Sequence, residues 1–383
     1  MRKRVVDLFA GCGGLTQGFE DAGFSVAGAF EFWDVAADCY AANFEHPVYR
    51  DDLSDIESAV IKIQKLNPEV IIGGPPCQDF SHAGKRVEDA RADLTVAYAK
   101  IVVAIAPRWF VMENVDRAQK SAKYQKARAI FKDAGYGLTE VVLNAALCGA
   151  PQRRKRFLCI GSMGAKDGFL SEYIKKTQSK KEMTLRDYFG DSLDIEHYYR
   201  HPRNYSRRAI YSIDEPSATI RGVNRPVPQG YPGHAGDSCD VTDEIRPLTT
   251  LERALVQTFP PKFKWLGSKT DMEQMIGNAV PVKLAEFVAK ALAHHIQSDD
   301  CINFSDFKMW LHNNKDLSEN AQGDVVSRLR RVNRILHVRD TPDAHYIVDL
   351  EQSEGFQAIK PSVRSQLKRS VALYSEYISA HTT

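Results

Sequence analysis

At 383 residues, 43% of them hydrophobic, the chain can bury more than one core, so a single small module is excluded. Fifty-one Lys and Arg against 49 Asp and Glu leave a net charge of +2, which selects no polyanionic or membrane-surface partner; a nucleic-acid footprint would have to be local. No apolar run approaches the roughly 20 residues that cross a bilayer, and seven cysteines without a CxxC pair suggest neither a disulfide framework nor a zinc site. The expectation is a cytoplasmic protein with reduced thiols and no metal.

In chain order, the first predicted strand is Arg4–Phe9, and it runs Asp7-Leu8-Phe9-Ala10-Gly11-Cys12-Gly13-Gly14-Leu15 through a glycine turn. Such a turn lets a ligand lie against the backbone. Leu15, Phe19 and Ala22 then recur at helical spacing, and Gly23 stands where the helix would end. A second strand, Ser25–Glu31, places a carboxylate at its end, suited to ribose hydroxyls. The third glycine of a dinucleotide fingerprint would fall at Thr16, which disfavours a dehydrogenase and suits an adenosine cofactor without a pyrophosphate.

The strand Val70–Gly74 leads into Gly73-Gly74-Pro75-Pro76-Cys77-Gln78-Asp79-Phe80-Ser81. Two glycines and two prolines force a rigid, irregular loop at the strand's carboxyl end, the edge where open α/β sheets hold ligands. Cys77 is thereby displayed at a mouth, although a free cysteine is usually buried and inert. The strand Trp109–Asn114 delivers Glu113 to the same edge. After Leu138–Leu147, the extended segment Pro151-Gln152-Arg153-Arg154-Lys155-Arg156 puts Gln152, Arg154 and Arg156 on one face and enters the strand Phe157–Gly161. Alternation of strands with helical stretches up to Gly161 predicts βαβ units around a parallel sheet.

From Gly161 to about Arg246 the sequence turns polar and irregular. Six arginines, among them Arg203, Arg207, Arg208, Arg221 and Arg225, crowd the stretch 200–225 beside Tyr198, Tyr199, Tyr205 and Tyr211. That composition fits either a solvated surface or a nucleic-acid contact. Beyond Ile296, Val326, Leu329 and Leu336 mark one amphipathic helix, and Val363, Leu367, Val371, Tyr374 and Ile378 another.

These motifs, in this order, resemble the cytosine-5 DNA methyltransferase family. The turn Phe9–Gly14 is similar to its first cofactor motif, Pro75-Pro76-Cys77-Gln78 to its nucleophile motif, and Glu113-Asn114-Val115 to the motif that grips the target base. Gln152–Arg156 resembles the following basic motif, Arg246-Pro247-Leu248-Thr249 with Gln257-Thr258-Phe259-Pro260 the ninth, and Gly277-Asn278-Ala279-Val280-Pro281 the tenth. The resemblance implies a Rossmann-like S-adenosylmethionine-dependent sheet over 1–161, completed by 277–296. It also implies a smaller target-recognition domain over 162–276, leaving 297–383 as a helical extension.

The resemblance further implies catalysis by Cys77, Glu113, Arg154 and Arg156. S-adenosylmethionine would be held by Asp7, Phe9, Ala10, Gly11, Cys12, Gly13, Gly14 and Leu15, with Glu31, Phe32 and Trp33 at the ribose and adenine. Asp52, Leu53, Pro75, Leu94, Asn278 and Val280 would complete that pocket. Duplex DNA would meet Gln78, Ser81, Gln152, Arg203, Arg207, Arg208, Arg221 and Arg225. The implied partners are double-stranded DNA and a cognate restriction endonuclease, for a monomeric protein. Two departures stand out: Asp79 where glycine commonly follows, and a tail beyond the tenth motif. RNA as substrate, and a non-catalytic cytosine binder, remain the alternative readings.

Overall fold

The computed structural model describes residues 3–76, 93–202, 204, 206–300, 304–336, 338 and 344–381. Cys77, Gln78, Asp79, Ser81 and Arg203, singled out above, lie outside the described residues. The chain divides into two compact units, Met1–Ala291 and Leu292–Thr383.

In the first unit β1 (Arg4–Leu8), α1 (Gly14–Asp21), β2 (Ser25–Phe30), α2 (Asp34–Ala41), β3 (Val48–Tyr49), α3 (Ile56–Lys65) and β4 (Val70–Gly73) alternate as the pattern predicts. There follow α4 (Leu94–Ile105), β5 (Trp109–Val115), α5 (Ala122–Asp133), β6 (Tyr136–Asn144), β7 (Gln152–Arg153) and β8 (Lys155–Met163). Seven strands form one sheet in the order β3-β2-β1-β4-β5-β8-β6. Ladders from β3 to β5 are parallel.

The sheet is parallel from β3 to β5, as the alternation predicts, and changes direction at its far side, where β8 runs antiparallel to both β5 and β6. The reason is the connection between β6 and β8: residues 145–154 hold a short 3-10 turn and β7 but no crossover helix, and a parallel pair needs a crossover. The consequence is functional. An antiparallel β8 brings its beginning, Lys155-Arg156, beside the carboxyl end of β5, with Arg156 opposite Val115.

Val70, Ile71 and Ile72 are fully buried, as a central strand covered on both faces requires. One core joins the sheet to α3, α4 and α5 through Ile63, Tyr98, Val102 and Phe131. A second joins Ala29, Ala36 and Tyr40 to Phe259, Phe263, Met275 and Val282, so residues far along the chain return to its amino-terminal end.

After β8 the chain carries short elements, α6 (Ser171–Thr177), α7 (Leu185–Phe189), β9 (His197–Tyr199), β10 (Ile210–Ser212), β11 (Ser217–Ala218), α8 (Thr250–Val256) and α9 (Lys269–Asn278), and then the long helix α10 (Val282–Asp300), which begins in the first unit and ends in the second. β9 pairs with β10, and β11 pairs with β7, tying this region to the segment that enters β8.

The second unit contains α11 (Phe304–Asn314), α12 (Glu319–Ile335), α13 (Ala344–Gln352), α14 (Glu354–Gln357) and α15 (Pro361–His381). Phe307, Leu311, Leu329, Val332, Leu350, Leu367, Val371 and Tyr374 are buried in a core of its own. Both amphipathic helices read from the sequence are present as α12 and α15.

Candidate active site

The strand order reverses between β1 and β4, and at such a switch point the connections diverge and leave a crevice at the carboxyl edge. The turn after β1 fills one side of that crevice. Phe9, Gly11 and Gly13 all have positive φ, at 59°, 56° and 96°, a coiled path that a run of side-chain-bearing residues would resist. A β-carbon at Gly11 would meet nothing within 4 Å, whereas one at Gly14 would stand 2.4 Å from the Val280 carbonyl oxygen. The turn is thus open on one side and pressed against the 277–281 segment on the other.

Glu31 accepts hydrogen bonds from the Gly11 and Trp33 backbone N–H groups, both at 2.7 Å. Burial raises the pKa of its carboxyl, partly countered by those bonds. Phe32 is 67% exposed, an unusual state for an aromatic ring and one that suits stacking on a ligand. Trp33 packs at the edge of the second core, Leu53 and Pro75 are buried, Leu94 begins α4, and Asp52 and Asn278 are exposed. An open glycine cradle with a carboxylate and an exposed ring at its rim fits an adenosine cofactor. Cys12 is buried with its thiol aimed at the Met275 carbonyl, and Asp7 is fully enclosed, so neither faces the open side.

The second half of the site lies where β4, β5 and β8 end side by side. Glu113 is nearly buried, and a β-carbon at Gly74 would come within 3.1 Å of its Oε2, so glycine there leaves space for the carboxylate. Arg156 Nε lies 2.8 Å from Glu113 Oε1. Burial raises the Glu113 pKa, and the charges of Arg156 and Arg154 oppose that rise. Asn114, beside the expected catalytic residue Glu113, donates to the Pro75 carbonyl at 3.0 Å and so anchors the loop that leads to Cys77. The available signal was a polar residue inside a strand with no exposed face, which must find a partner.

Arg154, for which the resemblance implies a catalytic role, has its guanidinium engaged with backbone carbonyls. It donates to the carbonyls of Ile220 and Gly277 at 2.8 Å and Ala279 at 3.0 Å, fully buried. Gln152, expected at DNA, is likewise enclosed: it accepts from Ile220 N–H at 2.9 Å and donates to Gln257 at 2.8 Å. Gln257 in turn donates to the Ile276 carbonyl at 2.5 Å. Gln152 and Arg154 therefore share a face as predicted, and that face grips both sides of the Ile220 peptide and the 276–279 segment. A long-range glutamine pair of this kind leaves no local mark in the sequence.

Among the arginines of 200–225, Arg208 is paired with Glu215 through both terminal nitrogens and stacks on Tyr211 with 4.2 Å to the ring centre, an intramolecular engagement that competes with its expected place at DNA. Arg207 and Arg225 are exposed. Arg200, Arg221, Arg225 and Arg253 converge on one surface depression with His201 and Asn224. Arg221 donates to the His201 carbonyl, and Arg253 pairs with Glu273 and donates to the Arg221 carbonyl. Burial, together with Arg200 and Arg221, pushes Arg253 down to about 10.

Sequence comparison gives this geometry its context. A sequence model of the family described as C-5 cytosine-specific DNA methylase matches residues 3–294. The chain is 55% identical over 291 residues to a type II methyltransferase of Haemophilus influenzae, M.HindV, a match covering 76% of this chain and 96% of that relative. It is 53% identical over 294 residues to M.HgiDI of Herpetosiphon aurantiacus, covering 76% and 95%. The Dnmt2 methyltransferase of Schizosaccharomyces pombe shares the fold, with a TM-score of 0.57 at 17% identity over 77% of this chain and 99% of that one. The family match ends at residue 294, so nearly all of the second unit lies past it.

Proposed function

The chain belongs to the C-5 cytosine-specific DNA methylase family and transfers the methyl group of S-adenosylmethionine to carbon 5 of cytosine in DNA; from that premise we propose how its residues divide the work. The Phe9–Gly14 turn, Glu31, Phe32, Trp33, Asn278 and Val280 hold the cofactor. The bound cofactor supplies an electrophilic methyl group.

Carbon 5 of cytosine is a weak nucleophile, and the chain's task is to make it a strong one. Cys77, as thiolate, adds to carbon 6 and turns the ring into an enamine. Glu113 donates a proton toward ring nitrogen 3 as charge builds there and accepts from the exocyclic amine; burial raises its pKa and so favours the protonated form, against the Arg156 and Arg154 charges. Arg156 fixes the orientation of Glu113. Arg154 and Gln152 act one step removed, holding the 220 and 276–279 backbones against the catalytic edge. Carbon 5 is shielded within a duplex, so the target cytosine swings out of the stack, at a cost of a few kcal/mol.

The observation that carries this assignment is the meeting of Glu113, Arg156 and the β4 loop at one edge. Exposed Arg207 and Arg225 and the arginine depression supply phosphate contacts. We infer a cytoplasmic, monomeric enzyme of a restriction-modification system, with a cognate endonuclease as functional partner.

The test is transfer of labelled methyl groups to duplex DNA and to tRNA, followed by bisulfite sequencing of the DNA. Methylation of one cytosine within a fixed duplex sequence is expected; transfer to tRNA alone would contradict the substrate assignment.

A further inference from the structure

Asp7 sits directly beneath the cofactor turn, fully buried, and forms the inner end of a chain of polar side chains that runs outward through α1 and α2. Its Oδ2 lies 2.7 Å from Thr16 Oγ1, which lies 2.8 Å from the Tyr40 hydroxyl. The Tyr40 hydroxyl is 2.6 Å from His46 Nε2, and His46 Nδ1 is 3.5 Å from Glu20 at the rim. Among the described residues Asp7 Oδ1 has no hydrogen-bond partner.

Donor counting allows this chain two polarities. With Asp7 ionised, Thr16 donates to Asp7, Tyr40 to Thr16, and His46 from Nε2 to Tyr40. With Asp7 protonated, these three bonds reverse: Asp7 donates to Thr16, Thr16 to Tyr40 and Tyr40 to His46 Nε2, which leaves the ring proton of His46 on Nδ1, 3.5 Å from Glu20. The relay requires a neutral ring, and burial holds His46 down to about 4. An unpartnered buried oxygen costs less as the carbonyl of a neutral acid than as part of a carboxylate. Burial, with the nearby Glu31 charge and against the Thr16 hydrogen bond, raises Asp7 to about 7. The titratable groups facing Asp7 are Glu31 after β2, Tyr40 of α2 and Tyr98 of α4; Asp21 and Glu45 face Glu20 at the outer end.

We propose that Asp7 is a proton-exchanging positioning residue for the cofactor, ionising when the cationic cofactor lies over the turn and sending its proton outward through Thr16, Tyr40 and His46 to Glu20 and solvent. The proposal rests on the cofactor placement given above. In the step, the Asp7 O–H bond breaks and a Thr16 O–H bond forms. Thr16 passes its own proton to Tyr40, Tyr40 to His46 Nε2, and His46 Nδ1 to Glu20. One proton leaves, no electrons change owner, and the chain ends in its other polarity. A negative Asp7 then steadies the sulfonium charge from below, an attraction that the methyl-depleted product, S-adenosylhomocysteine, lacks.

Calorimetry of the full chain with S-adenosylmethionine and with S-adenosylhomocysteine, in two buffers of different ionisation enthalpy, counts the protons released. Both ligands carry the same amino group, so the difference between them isolates the sulfonium. The wild type is expected to release about half a proton more with S-adenosylmethionine near pH 7. Asp7→Asn is expected to lose that excess. Tyr40→Phe leaves the Thr16 proton without an acceptor when Asp7 is protonated, so the release is expected at lower pH. Should Asp7→Asn not fold, infrared difference spectra of the wild type serve instead, where a protonated-carboxyl C=O band is expected to vanish on adding S-adenosylmethionine. Equal proton counts for both ligands, or a band unchanged by binding, would overturn the proposal. Failure to bind either ligand would instead overturn the cofactor placement.

Discussion

Arg156 reaches Glu113 across an antiparallel strand pair, Nε to Oε1 at 2.8 Å, because β8 enters the sheet beside the end of β5. In that pair, burial raises the Glu113 pKa while the Arg156 charge limits the rise. Replacing Glu113 by Gln removes the acid and keeps the shape, so kcat is expected to fall about 10²–10⁴-fold. The pH dependence has a definite sign. The wild-type rate declines as pH rises through the raised pKa of Glu113, and the residual rate of the Gln variant lacks that decline. Single-turnover methyl transfer across a pH series checks both.

Asp7 carries a stability consequence independent of any ligand. Its folded pKa of about 7 exceeds the ordinary 3.8, so between those values the native state holds more protons than the unfolded one. Stability contributed by this group is fully present below pH 3.8 and is lost as pH rises through 7, by up to about 4 kcal/mol. Urea unfolding is expected to show wild type losing stability relative to Asp7→Asn over that range. Parallel pH curves for the two proteins would refute the assignment.

Arg154 is tied to the carbonyls of Ile220, Gly277, Asn278 and Ala279, which only a buried, forked cation reaches together. Arg154→Ala leaves those acceptors unpaired, at a cost of about 3 kcal/mol or more. Because Gly277 and Ala279 adjoin Asn278 and Val280, the same change is expected to raise KM for S-adenosylmethionine more than it lowers kcat. Unfolding and steady-state kinetics separate the two effects.

Two arginines of one basic stretch are expected to behave differently. Exposed Arg225, as a phosphate contact, should reduce the dependence of log Kd on log salt by about 0.9 when changed to Ala. Arg208, engaged with Glu215 and Tyr211, should leave that slope unchanged and lower Tm slightly. Fluorescence anisotropy with duplex DNA over a salt series distinguishes them.

Much of this was legible in the sequence because it is local. Strand, glycine turn and helix around Gly11–Leu15 follow from short-range rules, as does the presence of Glu113 at a strand end. What the sequence concealed depends on contacts between distant residues. Nothing local to Gln152 reveals that Gln257 lies against it, and the reversal of β8 follows from a missing helix rather than from any residue in the strand. Arg208 illustrates the same limit: composition marks it as basic, whereas only the fold shows that Glu215 already claims it.

In the proposed mechanism Cys77 attacks carbon 6 with Glu113 assisting. That step is tested most directly with duplex DNA bearing 5-fluorocytosine at the target position, together with S-adenosylmethionine. Fluorine at carbon 5 blocks the final elimination, so the wild-type enzyme should accumulate a protein–DNA adduct that survives denaturant, and Cys77→Ala should form none. No adduct with the wild type, or an undiminished adduct with Cys77→Ala, would rule out Cys77 as the attacking nucleophile.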